Sequence, residues 1–120
     1  MKHRIALLLT LTVAIGTALT TAGEGTAARN VAPQTLTVLM LDFHFKLSKP
    51  TLKAGKVTIT AINKGNSIHN FAIQGAKASP FLAPGGRKTF TITLKKGKYN
   101  YVCTVPRHSE LGMFGTLVVK

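Results

Sequence analysis

Residues 89–103 read TFTITLKKGKYNYVC, and the alternation in this stretch decides the fold. Phe90, Ile92 and Leu94 fall on one side, while Thr89, Thr91 and Thr93 fall on the other. Lys96-Gly97 interrupts the run with turn chemistry, and Tyr99, Tyr101 and Cys103 then line up again. A period of two belongs to a pleated strand, whose successive side chains point to opposite faces.

The same pattern extends outward in both directions. KVTITAI at 56–62 sets Val57, Ile59 and Ala61 against Thr58 and Thr60, and IHNFAIQ at 68–74 groups His69, Phe71 and Ile73. After Pro33, Leu36, Val38 and Met40 share a face; Phe43, Phe45 and Leu47 follow, with His44 and Lys46 opposite them. GTLVV at 115–119 closes the chain with Leu117 and Val119 inward. Ala54-Gly55, Asn63-Lys64-Gly65-Asn66 and Pro84-Gly85-Gly86 supply further turns. No window carries a helical stripe. Short alternating strands with turns every eight to twelve residues predict an all-β protein, a Greek-key β-sandwich of about 7–8 strands in antiparallel pairing.

Composition narrows the chemistry. The 120 residues allow one modest domain. A single cysteine excludes an intramolecular disulfide framework and any zinc site built from paired cysteines. Three carboxylates, Glu24, Asp42 and Glu110, leave almost nothing for paired-carboxylate hydrolysis. The formal charge of +13 would suit nucleic acid, yet no platform of interleaved aromatic and basic residues accompanies it.

The N-terminus reads as a targeting segment. Lys2, His3 and Arg4 precede the apolar run Ile5–Ala22, IALLLTLTVAIGTALTTA, and no charge follows until Glu24. A basic head, an apolar stretch and small residues form the export pattern, with cleavage after Ala22 or after Ala28. Residues 1–28 are therefore assigned to a signal peptide and short leader, and residues 29–120 to the working domain. Threonines and Gly16 interrupt the run, which favours a cleaved signal, but its 18 residues just reach the length of a span, so retention as an anchor is the alternative, and peripheral membrane association goes with it. Removal through Ala28 leaves 14 basic and 2 acidic side chains, a net +12. The expected location is the periplasm or another extracytoplasmic space.

The donor residues lie near the C-terminus, in CTVPRHSELGMFGTLVV. Cys103, His108 and Met113 are spaced C-x4-H-x4-M between two strands. Thiolate, imidazole and thioether are soft donors that together select copper over harder metals. His69, on the core-facing side of its own strand, offers a second imidazole. Two imidazoles, one thiolate and a weak axial thioether hold both copper oxidation states with little rearrangement, which is electron-transfer chemistry. Taken singly, each residue has a plainer reading: a buried cysteine, a backbone-satisfied histidine, a methionine filling the core. It is the coincidence of three donor types on residues 103–113, with His69 on another core-facing strand, that points to a site. His44 falls beside Lys46 on the solvent face and is left out, Met40 is read as core, and His3 belongs to the export segment.

GKYNYVCTVPRHSELGMFGTLVV resembles the copper-binding end of the cupredoxins, the small type 1 blue copper proteins such as plastocyanin, azurin and rusticyanin. NKGNSIHNFAI is similar to the segment that carries the family's first ligand histidine, and PFLAPGGRKTFTITL to the hairpin before the copper strand. The resemblance covers Thr35 to Lys120. It implies one copper per chain held by His69, Cys103, His108 and Met113, with Asn70 tying the first ligand strand to the Cys103 loop and Thr104 as its partner. The expected function is one-electron carriage between redox partners; the alternative is non-redox copper binding or trafficking in the same compartment through the same site. Copper enzymes need further histidine-rich sites, for which residues 29–120 have only His44 to spare, so no enzymatic activity is expected. The expected partners are acidic redox proteins such as cytochromes or oxidases, met by a monomer through His108, Pro106, Arg107 and Leu111, with Phe81, Leu82 and Pro84 from a neighbouring loop. One departure stands out. Many relatives carry glycine where this chain has Arg107, and a glycine at positive φ would leave arginine strained there.

Overall fold

The computed structural model describes residues 33–120 together with Gly16. The export segment and leader assigned to residues 1–28 lie outside the described residues, Gly16 apart. Residues 33–120 belong to one compact unit. Its strands are β1 (Gln34–Leu41), β2 (His44–Leu47), β3 (Thr51–Leu52), β4 (Gly55–Asn63), β5 (Ala72–Ile73), β6 (Arg87–Leu94), β7 (Gly97–Val102) and β8 (Phe114–Val119).

These eight strands make two four-stranded sheets, in the order β2-β1-β4-β6 and β3-β8-β7-β5. In the first sheet Leu36 pairs with Ile59, and Ile59 with Phe90, so one inward row crosses three strands. Leu36, Val38, Met40, Val57, Ile59 and Ala61 are wholly buried, facing Phe71, Leu117 and Val119 of the second half of the core. Burying each large aliphatic side chain contributes about 1.5–3 kcal/mol, so the alternation that defined the strands also supplies the drive to stack them. On the outer face the threonines pair across strands: Thr60 Oγ1 lies 3.0 Å from Thr89 Oγ1, and Thr58 Oγ1 lies 3.4 Å from Thr91 Oγ1. Among the described residues no buried side-chain nitrogen or oxygen lacks a partner.

Three details differ from the pattern-based expectation. Pairing is not antiparallel throughout, since β1 runs parallel to β4 and β3 parallel to β8. The chain leaves the first sheet through β2, antiparallel to β1, forms β3 in the opposite sheet, and returns as β4 running in the direction of β1. Residues 34–47 are not one continuous strand run but a hairpin, β1 against β2, turning at Asp42 and Phe43. The phase slip between Met40 and Phe43 records that turn. Finally, the stretch around His69 is mostly not ladder. Only Ala72 and Ile73 join the sheet, while His69 makes a single bridge to Leu82.

Candidate metal centre

His69 is held at the closed end of the sandwich by its own backbone. Its N–H donates to the Leu82 carbonyl at 3.1 Å, and the Leu82 N–H donates back at 2.8 Å. Its side chain is completely buried. Cys103, 1% exposed, follows directly on β7. Its N–H donates to the Met113 carbonyl at 3.0 Å, and the Met113 N–H donates to the His108 carbonyl at 3.1 Å. One short loop thus clasps three of the four sequence-selected donors through main-chain bonds. Met113 is wholly buried, whereas His108 keeps part of its ring in solvent.

The side chains of three of them converge. His69 Nδ1 and His108 Nδ1 are 3.1 Å apart, and Cys103 Sγ stands 3.6 Å from His108 Nδ1 and 4.0 Å from His69 Nδ1. A point equidistant from the three atoms lies about 2.1 Å from each, and roughly 2.0–2.3 Å is the span of metal–nitrogen and metal–sulfur bonds at such sites. Two imidazole nitrogens and one sulfur in a triangle of this size, with a buried thioether on the same loop, fit copper by donor softness. Desolvation, and next the neighbouring His69, push the His108 imidazole below its ordinary pKa, with Asp42 pulling weakly the other way. A neutral ring keeps its lone pair available to a metal at pH 7.

The surroundings fix this arrangement. Asn70, 4% exposed, donates from Nδ2 to Thr104 Oγ1 at 2.8 Å and accepts the Thr104 N–H on Oδ1 at 2.7 Å. That pair of bonds joins the residue after His69 to the residue after Cys103. Phe43 sets its ring edge against His108, with centroids 4.9 Å apart, and against His69 at 6.1 Å. Phe45, Phe71 and Tyr101 pack against one another, edge-on or tilted, with centroids 5.2–5.5 Å apart. His44 is exposed at the start of β2 and is not in the donor group.

Arg107 adopts φ +70°, the left-handed region that glycine occupies without steric cost. Its carbonyl accepts the Leu111 N–H at 3.2 Å, which holds that conformation inside the wound segment 105–112. Pro106, Arg107 and Leu111 are exposed, Leu111 at 60% and Phe81 at 61%. Leu82, expected on the same surface, instead belongs to the core, because its main chain is paired with His69.

Two contributors escaped the sequence reading. Asp42 had counted only as one of the few acids opposing the positive charge. In the fold its Oδ1 lies 2.6 Å from His69 Nε2. The Asn66 N–H foremost, with His69 and Ser67 adding, holds the Asp42 carboxyl below the ordinary carboxylate range. Asn63, wholly buried, donates from Nδ2 to the carbonyls of Ser67 at 2.7 Å and Leu82 at 2.8 Å, and accepts the Gly65 N–H at 2.9 Å. The only sequence signals were an Asp in the phase slip after Met40 and an Asn at the head of a turn.

With this geometry in place, the comparisons with known proteins agree. A family model, Cupredoxin-like domain, matches residues 5–119, and the chain belongs to the cupredoxin family. No curated protein matches it in sequence. Similar solved structures include a dithionite-reduced auracyanin from Roseiflexus castenholzii, with TM-score 0.63 and 22% identity over 74% of this chain and 98% of that one. Reduced rusticyanin gives TM-score 0.59 and 27% identity over 74% of this chain and 81% of that one. Auracyanin A from Chloroflexus aurantiacus, described as a blue copper protein, gives TM-score 0.62 and 25% identity over 73% and 99%.

Proposed function

We propose that this protein is a type 1 copper protein that carries single electrons between redox partners outside the cytoplasm. The observation that carries the reading is the triangle of His69 Nδ1, His108 Nδ1 and Cys103 Sγ, closed by backbone bonds to a buried Met113. One copper ion bound there would supply the exchange of a single electron between Cu(II) and Cu(I). The chain's own part is to keep the donors in place. A site whose ligands are pinned by main-chain pairing, by the Asn70–Thr104 bonds and by Phe43 needs little movement when charge changes. That rigidity favours electron carriage over copper delivery, which calls for ligands that open. Rusticyanin and the auracyanins share the fold at 22–27% identity, and auracyanin A is described as a blue copper protein, which supports the same reading.

His108 is the donor with a solvent-facing edge, and the residues around it suit brief docking. Ile68, Phe81, Leu111 and Phe114 are all more than half exposed, and each lies within a few residues of a donor or of its backbone partner Leu82. The net charge of +12 left once residues 1–28 are removed adds an attraction for acidic redox proteins, such as cytochromes or oxidases. We take the working unit to be a monomer of residues 29–120, exported by the preceding segment.

Addition of Cu(II) to the purified protein tests the assignment directly. One equivalent should bind and give an intense visible band from thiolate-to-copper charge transfer. Cys103→Ser should abolish that band, because an alcohol oxygen cannot supply the transition, while His44→Ala should leave it unchanged. A coloured Cys103→Ser protein would remove Cys103 from the site. Release of copper on reduction, in place of reversible cycling, would favour the trafficking alternative.

A further inference from the structure

We propose that Asp42 is a positioning residue for the metal site, one that fixes the tautomer of His69 and lends its negative charge to the oxidised state. The inference rests on the copper reading above and concerns a residue outside the donor set.

The argument starts from the two nitrogens of one ring. An ionised carboxylate can only accept hydrogen bonds. Asp42 Oδ1 at 2.6 Å from His69 Nε2 therefore requires the proton to sit on Nε2. The lone pair is then on Nδ1, the nitrogen that faces Cys103 Sγ and His108 Nδ1. Because the His69 ring is completely buried, water does not compete with the carboxylate for Nε2, and on its other side Nδ1 faces His108 Nδ1 and Cys103 Sγ. A ring nitrogen bonded to a carboxylate is also a more basic donor through its other nitrogen, which favours the more highly charged metal ion.

Asp42 is itself held for this task. Its Oδ2 accepts the Asn66 N–H at 2.8 Å, and its Oδ1 also accepts the Ser67 N–H at 3.3 Å. Gly65 passes so close that any Cβ there would collide with Asp42 Oδ1 and His69 Nε2. Only a residue without a side chain leaves room for the carboxylate–imidazole contact. The loop does not depend on Asp42 alone for its shape, because Asn63 ties it through its own bonds to Ser67, Leu82 and Gly65. Asp42 therefore adds its charge to a loop that already has a scaffold.

The experiment has a metal-free arm and a copper-loaded arm. Nitrogen-15 NMR of the wild-type apoprotein should show His69 as the Nε2–H tautomer, with a slowly exchanging ring proton. The Nδ1–H tautomer in the wild type would overturn the assignment without reference to any metal. In copper-loaded Asp42→Asn, the ratio of Cu(II) to Cu(I) affinity should fall about tenfold, the lower end for loss of a partner behind a ligand. For one electron that is a rise in reduction potential of about 59 mV. Asp42→Ala should move the potential the same way. A potential unchanged or lowered in both folded variants overturns the proposal, as does failure of both to fold, which would make Asp42 a structural residue. Absence of the visible band in the wild type would instead refute the copper reading, while the apoprotein spectrum still decides the Asp42–His69 bond.

Discussion

Replacing Arg107 with glycine should make the domain more stable, although it removes a side chain and adds a flexible residue. The reason is the backbone. Arg107 sits at φ +70°, where a Cβ crowds the following carbonyl, and an L-residue there costs about 1–2 kcal/mol. Glycine abolishes that cost but restores freedom to the unfolded chain, an opposing effect of about 0.4–1 kcal/mol. Arg107 is exposed, so no packing is lost with its side chain. The net expectation is a gain of about 0.5–1 kcal/mol, or roughly 2–8 °C in midpoint for a domain of this size. Arg107→Ala is the essential control, because it removes the same charge and keeps the Cβ. It should lie close to wild type. Urea titration of the apoproteins, followed by far-ultraviolet circular dichroism, gives all three stabilities without a contribution from metal. If Arg107→Gly is no more stable than Arg107→Ala, the left-handed conformation carries no strain and the argument fails.

Other outcomes follow from the same geometry. Asn70→Ala removes both bonds to Thr104 and should cost the apoprotein about 1–3 kcal/mol in a urea titration, with a loss below 0.5 kcal/mol counting against the tie. Met113→Gln should retain copper and lower the reduction potential by voltammetry, because an axial thioether is a weak ligand that favours Cu(I) over what an oxygen donor allows. Outright loss of copper would make Met113 a primary ligand. Electron transfer to an acidic cytochrome should slow as salt rises, and Arg107→Glu should lose more rate than Lys64→Glu. Equal small losses in the two variants would mean a diffuse field with no docking role for Arg107.

The legible parts of this protein are those whose signal is local. Alternation at 56–62 and 89–94 is enough to place β4 and β6, because each residue's burial follows from its neighbour two positions away. Cys103, His108 and Met113 are readable as a group because one loop carries them. Sheet pairing was less legible. The parallel pairing of β1 with β4 arises from a crossing through β3, only two residues long, and no pattern in Thr51 and Leu52 announces it. Asp42 was the hardest case. It lies 27 positions from His69 in sequence, and only the hairpin turn brings the two together.

The resulting site has two unlike halves, one buried and one partly exposed. The inner half is His69, wholly buried, with its Nε2 against Asp42 and its backbone paired to Leu82. Nothing in solvent reaches it, so a partner's approach leaves it undisturbed. The outer half is His108, partly exposed on a wound loop, with Phe43 against its ring and Leu111 beside it in space and sequence. The exposed side chains of this loop are Pro106, Leu111, Arg107 and Glu110. Charge placement follows the same division. Of the two carboxylates in residues 29–120, Asp42 is turned to His69, which leaves Glu110 as the acid on the exposed loop. One negative charge thus lies against the buried histidine, while Glu110 and Arg107 set opposite charges on the exposed loop.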